Sequence, residues 1–228
     1  MNQQINSPIP FGLSMLGPPR YYNIVAVGAM NPRIHTPLWY RLIDCLTEDQ
    51  ERAIKEIVVI PGFARFASPE YIIHCAEDRW EVATFEEKYR ERILGVACKV
   101  FEKLNETPVS AIGFNTVTNL QIAKANVPKA LGKLGFATGF SLSNADETDC
   151  TFGFSRREPF RVVVANVAAS PIREDMVLIN YNTHIDFKPV PGYRNMTPDF
   201  IGNFEPHERE AKSFAEKIVN RISEVERT

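Results

Sequence analysis

Cysteine is scarce and unpaired in this chain: Cys45, Cys75, Cys98 and Cys150 stand 30, 23 and 52 residues apart. No C-x-x-C unit is present to hold zinc or run thiol–disulfide chemistry, and the four thiols read as buried, reduced, small apolar groups. An excess of charge of either sign is missing as well. With 26 Lys and Arg against 28 Asp and Glu, the net charge is -2 and the isoelectric point about 6.1, which provides no bulk attraction to phosphate backbones or anionic lipid. No apolar run approaches the roughly 20 residues needed to span a bilayer. The first twenty residues hold four prolines and no charge before Arg20, unlike the basic start and apolar centre of a signal peptide. These absences predict a cytoplasmic protein with no membrane partner. Neither G-x-x-x-x-G-K-[ST] nor G-x-G-x-x-G follows a strand-like segment, and no nucleophile elbow occurs, so no cofactor is expected.

What remains is a chain of 228 residues, 44% hydrophobic and 24% charged, a composition that supports a packed core rather than disorder. Residues 1–20, with Pro8, Pro10, Pro18 and Pro19, read as an extended arm, and residues 21–228 as a single α+β domain. Strand patterns run over 21–28, 54–60, 63–67, 71–75, 80–84 and from Val109 to Asn115; 37–50 is ambiguous between helix and strand. Tyr89, Ile93, Val96, Ala97, Val100 and Leu104 place one apolar stripe on a helix of about twenty residues. Thr84-Phe85-Glu86-Glu87 has the form of its capping box. A short helix is expected over 128–134, strands over 138–142, 151–155, 160–167 and 177–187, and a loop over 188–204. A terminal helix is expected from about Pro206 to Glu226, with a stripe at Ala211, Phe214, Ile218, Ile222 and Val225. No internal repeat is visible. Two long helices and some eight strands joined mostly by short turns imply a mostly antiparallel sheet with two long helices packed on one face.

Chemistry-bearing residues concentrate on the strand 177–187. Its apolar positions alternate with Asn180, Asn182, His184 and Asp186, which share the opposite face. His184 and Asp186 form an H-x-D pair that could supply two ligands of a 2-His-1-carboxylate site, but the one later histidine, His207, falls at the start of the expected terminal helix. Asn115 would join this polar row if its strand lay beside that of Asn182 and His184. Asp78, Glu86 and Lys88 have the residue types of a divalent-metal nuclease site, but Glu86 and Lys88 read as a helical first turn rather than a strand. His74-Cys75-Ala76-Glu77 lacks the rest of a zinc deaminase signature. Arg156, Arg157 and Arg161 form the one compact basic group, at an expected hairpin tip where charge protects an edge.

The stretches 78–84 (DRWEVAT), 104–115 (LNETPVSAIGFN) and 180–186 (NYNTHID) resemble segments of a group of uncharacterised bacterial proteins, over about residues 70–187. The resemblance implies a bacterial or phage-related origin and a shared α+β frame, and carries over no catalytic residue.

The leading expectation is a non-enzymatic binding or assembly protein. It would be a homo-oligomer, open to a further protein partner, and would use the sheet, the arm and the terminal helix as contact surfaces. The alternative is a metal-dependent hydrolase or oxygenase centred on His184 and Asp186, with Asn115 and Asn182 orienting substrate. A weaker third reading is nucleic-acid contact through Arg156, Arg157 and Arg161.

Overall fold

A computed structural model describes residues 16–122, 126–137, 151–187 and 195–225. The expected strand over 138–142, most of the arm, Cys150 and residues 188–194 of the expected loop lie outside the described residues. The chain is α+β with an antiparallel sheet, as the pattern of elements implies. Among the described residues nine strands form that sheet: β1 (Leu16–Gly28), β2 (Ile57–Ile60), β3 (Phe63–Ala67), β4 (Ile72–Ala76), β5 (Arg79–Thr84), β6 (Val109–Gln121), β7 (Thr151–Glu158), β8 (Arg161–Ala169) and β9 (Met176–Asp186). Their spatial order is β2-β3-β4-β5-β1-β6-β9-β8-β7. Residues 16–20, expected in the arm, are thus the first part of β1, where Leu16 and Pro19 pair with Leu120 and Thr118 of β6.

That order contains a repeat of topology that the sequence does not show. β1 is followed by a helical connection, α1 (Pro37–Leu42) and α2 (Glu48–Ala53), then by the meander β2–β5, which returns to pair with β1, then by helix α3 (Arg90–Lys103). β6 is followed by α4 (Val127–Ala137), by the meander β7–β9, which returns to pair with β6, and by α5 (Thr197–Val225). The halves join through the antiparallel pair β1·β6, near whose centre Asn23 stands opposite Asn115.

The period-two alternation of the strands assigns their faces. Tyr22, Ile24 and Ala26 of β1 enter one core with Trp80, Val82, Phe114, the α3 residues Ile93, Val96, Val100 and Phe101, and Phe200 and Phe204 of α5. A second core joins Leu131 and Leu134 of α4 and Ala215, Ile218, Val219 and Ile222 of α5 to Val167, Val177 and Ile179. Of the α5 stripe, Ala211, Ile218 and Ile222 are buried inside the chain and Phe214 is packed against them.

Two helix starts differ from the sequence reading. Thr84 does not cap a helix: it is a buried strand residue opposite Tyr22. Its hydroxyl accepts from the Glu86 amide at 3.3 Å, and helix geometry begins only with a 3-10 turn at Glu87–Tyr89 leading into α3. Cross-strand pairing and burial outweigh the local capping signal. In α5, Pro206 sits inside the helix rather than at its start. An internal proline costs about 3 kcal/mol, but Phe200 and Phe204, at 0% and 1% exposure, are buried only if the helix begins upstream. Burying each contributes about 1.5–3 kcal/mol, which offsets the proline.

Glycine is required at Gly28 rather than at Gly113. A Cβ on Gly113 would meet nothing closer than 3.7 Å, whereas on Gly28 it would lie 2.0 Å from the Pro108 carbonyl oxygen, where β1 ends against the start of β6. We predict that Gly28→Ala lowers stability by about 1–3 kcal/mol, as overpacking does, while Gly113→Ala changes it by less than about 1 kcal/mol. Urea unfolding of the two variants checks this, and equal effects would contradict it.

Candidate functional site: an amide row on the sheet

The face of the sheet opposite Tyr22 and Ile24 carries Tyr21, Asn23 and Val25 of β1, Glu81 of β5, Asn115 of β6, and Asn180, Asn182 and His184 of β9. The register sets Asn182 opposite Asn115 and Asn115 opposite Asn23, so three side-chain amides stand abreast on adjacent strands, about 4.8 Å apart. They form a directional chain. Asn182 Nδ2 donates to Asn115 Oδ1, and Asn115 Nδ2 donates to Asn23 Oδ1. Asn23 Nδ2 then donates to Glu81 Oε1 at 2.6 Å.

Glu81 ends the row as its acceptor. It also receives the Tyr21 hydroxyl at 2.7 Å and Arg79 Nη2 at 2.8 Å. Burial alone would raise its pKa, but the hydrogen bonds from Tyr21 and Asn23 and the Arg79 guanidinium outweigh burial and hold the carboxyl below its ordinary range. Burial and the adjacent carboxylate raise the Tyr21 hydroxyl, so it remains a donor. Each of Asn115 and Asn182 spends one N–H along the chain and keeps a second N–H. Both side chains are half-buried, and Phe85, against the Tyr21 ring at 5.3 Å, is 61% exposed.

The residues singled out in the sequence divide as follows. Asn115 and Asn182 come together. Asn180 lies on the same face two residues away, opposite Val117 and Asn166. His184 and Asp186 hydrogen-bond each other at 2.9 Å, with side chains 39% and 57% exposed. Among the described residues, no group of three His, Cys, Asp or Glu is placed to hold a metal ion. His207 cannot serve as the missing ligand, because its Nδ1 is 2.9 Å from the hydroxyl of Thr183, and Thr183 points to the face opposite its neighbour His184. The pleat also separates Arg157 from Arg156 and Arg161, and the three lie along strands rather than in the turn. Arg156 and Arg161 reach Glu210 of α5 at 3.4 and 2.9 Å. Arg157, opposite Val162, takes the other face.

Sequence reasoning missed Asn23 and Tyr21 as site members, although the alternation of Tyr21, Asn23 and Val25 with Tyr22, Ile24 and Ala26 carries the signal. It also missed a polar cluster beneath the sheet. Thr116 donates its hydroxyl to Glu208 Oε1 at 2.8 Å and lies 3.0 Å from His207 Nε2. Because that hydroxyl proton is committed to Glu208, His207 carries its proton on Nε2, and Nδ1 accepts from Thr183. Burial lowers His207 to a pKa of about 3, so the ring is a neutral pin between α5 and two strands. Burial raises Glu208 to about 7, opposed by the Thr116 hydrogen bond and by Arg90, whose Nη1 is 3.8 Å from Glu208 Oε2. The chain matches no protein-family model and no curated protein.

Proposed function

We propose that this is a non-enzymatic binding protein whose recognition surface is the amide row and its surroundings, the long helices being gathered on the other face of the sheet. The observation that carries this reading is the relay Asn182–Asn115–Asn23–Glu81, built across four neighbouring strands, in which the half-buried Asn115 and Asn182 each spend one of their two N–H groups. A surface that supplies side-chain amides beside an exposed aromatic ring suits an uncharged, hydroxyl-rich ligand. A hydroxyl both donates and accepts, and a ring face stacks on an apolar one. The strand spacing is comparable with the length of one sugar unit, so successive units could meet successive amides. A polyanion is disfavoured, since the row ends in a carboxylate and Arg156 and Arg161 are engaged by Glu210.

Catalysis finds less support in the chemistry present. The thiols of Cys45, Cys75 and Cys98 are pushed by burial up to about 11, 12 and 11, far from a reactive thiolate. His184 and Asp186 are engaged with each other. Titration with neutral oligosaccharides, followed through side-chain amide signals in 1H–15N spectra, tests the proposal. The Asn115 and Asn182 amides are expected to shift, and Asn182→Ala to weaken binding at least about tenfold, the loss of one hydrogen bond of about 1.4 kcal/mol. Inorganic polyphosphate binding in place of the sugars, or sugar binding that Asn182→Ala leaves intact, would overturn it.

A further inference from the structure

The two edges of the sheet are unlike. β7 ends in Ser155, Arg156, Arg157 and Glu158, all exposed, the charged rim by which an edge strand resists pairing with another chain. At the other edge, β2 is Ile57-Val58-Val59-Ile60, with exposures of 51, 41, 37 and 53%. Among the described residues it pairs only with β3, from Ile57 opposite Phe66 to Ile60 opposite Phe63. Its outer side therefore presents backbone N–H and C=O groups with no strand beyond them among the described residues. Both faces of this edge are β-branched and apolar, and none of its four residues is a charge, a proline or a glycine.

Apolar surface continues beside it. A groove of about 550 Å³ runs between β2 and the α1–α2 connection, lined by Leu38, Arg41, Glu51, Arg52, Ile57 and Val59 among others. Leu38 is 49% exposed, and Leu42, one helical turn on, is 67% exposed. The groove's charges are balanced and already paired within the chain, Arg41 with Glu51 and Arg52 with Glu48. Such a rim selects neither an acidic nor a basic peptide and does not repel an identical copy.

We propose that β2 is the interface with a second copy of this chain, the two β2 strands pairing antiparallel about a two-fold axis that passes through the Val58 pair. That register sets Val58 against the partner's Val58 and Ile57 against the partner's Val59, so each of these cross-strand pairs is apolar and the Ile57–Val59 pair occurs twice, as an isologous interface requires. Pro61, which has no backbone N–H, bounds the ladder at one side, and Lys55 and Glu56 flank it at the other, which keeps the pairing short. Each copy has one such edge and one charged edge, so the assembly closes as a dimer and does not propagate.

Sedimentation velocity at micromolar concentration, with amide hydrogen exchange at Ile57–Ile60, tests this. The wild type is expected to be a dimer with protected β2 amides. Val59→Lys would bury an unpaired ammonium in the dimer and is expected to raise the dimer Kd by roughly 100-fold, with β2 exchange accelerated and far-UV circular dichroism unchanged. Val58→Thr keeps the β-branch and is expected to remain dimeric, which separates a failed interface from a failed fold. Asn182→Ala is also expected to remain dimeric, since the interface does not involve the amide row. A wild-type monomer, a dimer that survives Val59→Lys, or open-ended oligomers would each overturn the proposal.

Discussion

Tyr40→Phe is expected to destabilise the protein by about 2–4 kcal/mol although it removes a single oxygen atom. The Tyr40 hydroxyl is fully buried between two groups with no other hydrogen-bond partner among the described residues. It accepts from Trp80 Nε1 at 2.8 Å and lies 3.0 Å from His35 Nδ1, to which it donates. Burial holds Tyr40 well above its ordinary pKa and lowers His35 to about 4, so at neutral pH the phenol keeps its proton and the imidazole its lone pair. Phenylalanine would strand both Trp80 Nε1 and His35 Nδ1, and each orphaned buried group costs about 1–3 kcal/mol. For a chain of this length the thermal midpoint should fall by about 4–16 °C. A loss below about 0.5 kcal/mol in urea unfolding would show that these groups find other partners.

Glu208→Gln is expected to act in the opposite direction, and only above a certain pH. The folded-state pKa of Glu208, about 7, lies above its reference value of 4.5. A carboxyl with a raised folded pKa contributes stability that is fully present below about 4.5 and is lost as the pH rises through about 7. Glutamine cannot ionise, and its Oε1 can still accept from Thr116. The variant should therefore match the wild type near pH 4.5 and exceed it by about 1–3 kcal/mol at pH 8. The groups around the carboxyl set that range: Arg90 favours the charged form, while Glu87 and Glu205 oppose it. His207 has the opposite sign. Its folded pKa of about 3 lies below the reference 6.5, so its contribution is present above 6.5 and is lost as the pH falls toward 3. Between about 4.5 and 6.5 the two groups offset one another, and Glu208→Gln should expose the full acid lability that His207 imposes. A stability difference between variant and wild type that does not change with pH would refute this account.

Much of the frame was legible because it rests on short-range periodicity. The alternation of Val177, Ile179 and Tyr181 with Asn180 and Asn182 follows from one face of a strand being buried, and the structure places those residues accordingly. The same holds for the stripe from Ile93 to Val100 on α3. The misreadings arose where a distant contact competes with a local signal. Thr84 has the sequence of a helix cap but the neighbours of a strand. Pro206 has the sequence of a helix start, but Phe200 and Phe204 draw the helix upstream.

Alone, the sequence determined the α+β class, the polar face of β9 and the lack of an excess charge, because each of these depends on composition or on spacings of two to four residues. Which polar side chains meet was decided by the tertiary structure. Asn23 meets Glu81 across 58 residues of chain and Asn115 across 92, and Thr116 meets His207 across 91. Such pairs follow from strand order and register, which are set by the packing of whole elements rather than by any local pattern. The same holds for β2: its four apolar residues read as an ordinary strand, and only the order of the sheet shows that this strand lies at the edge.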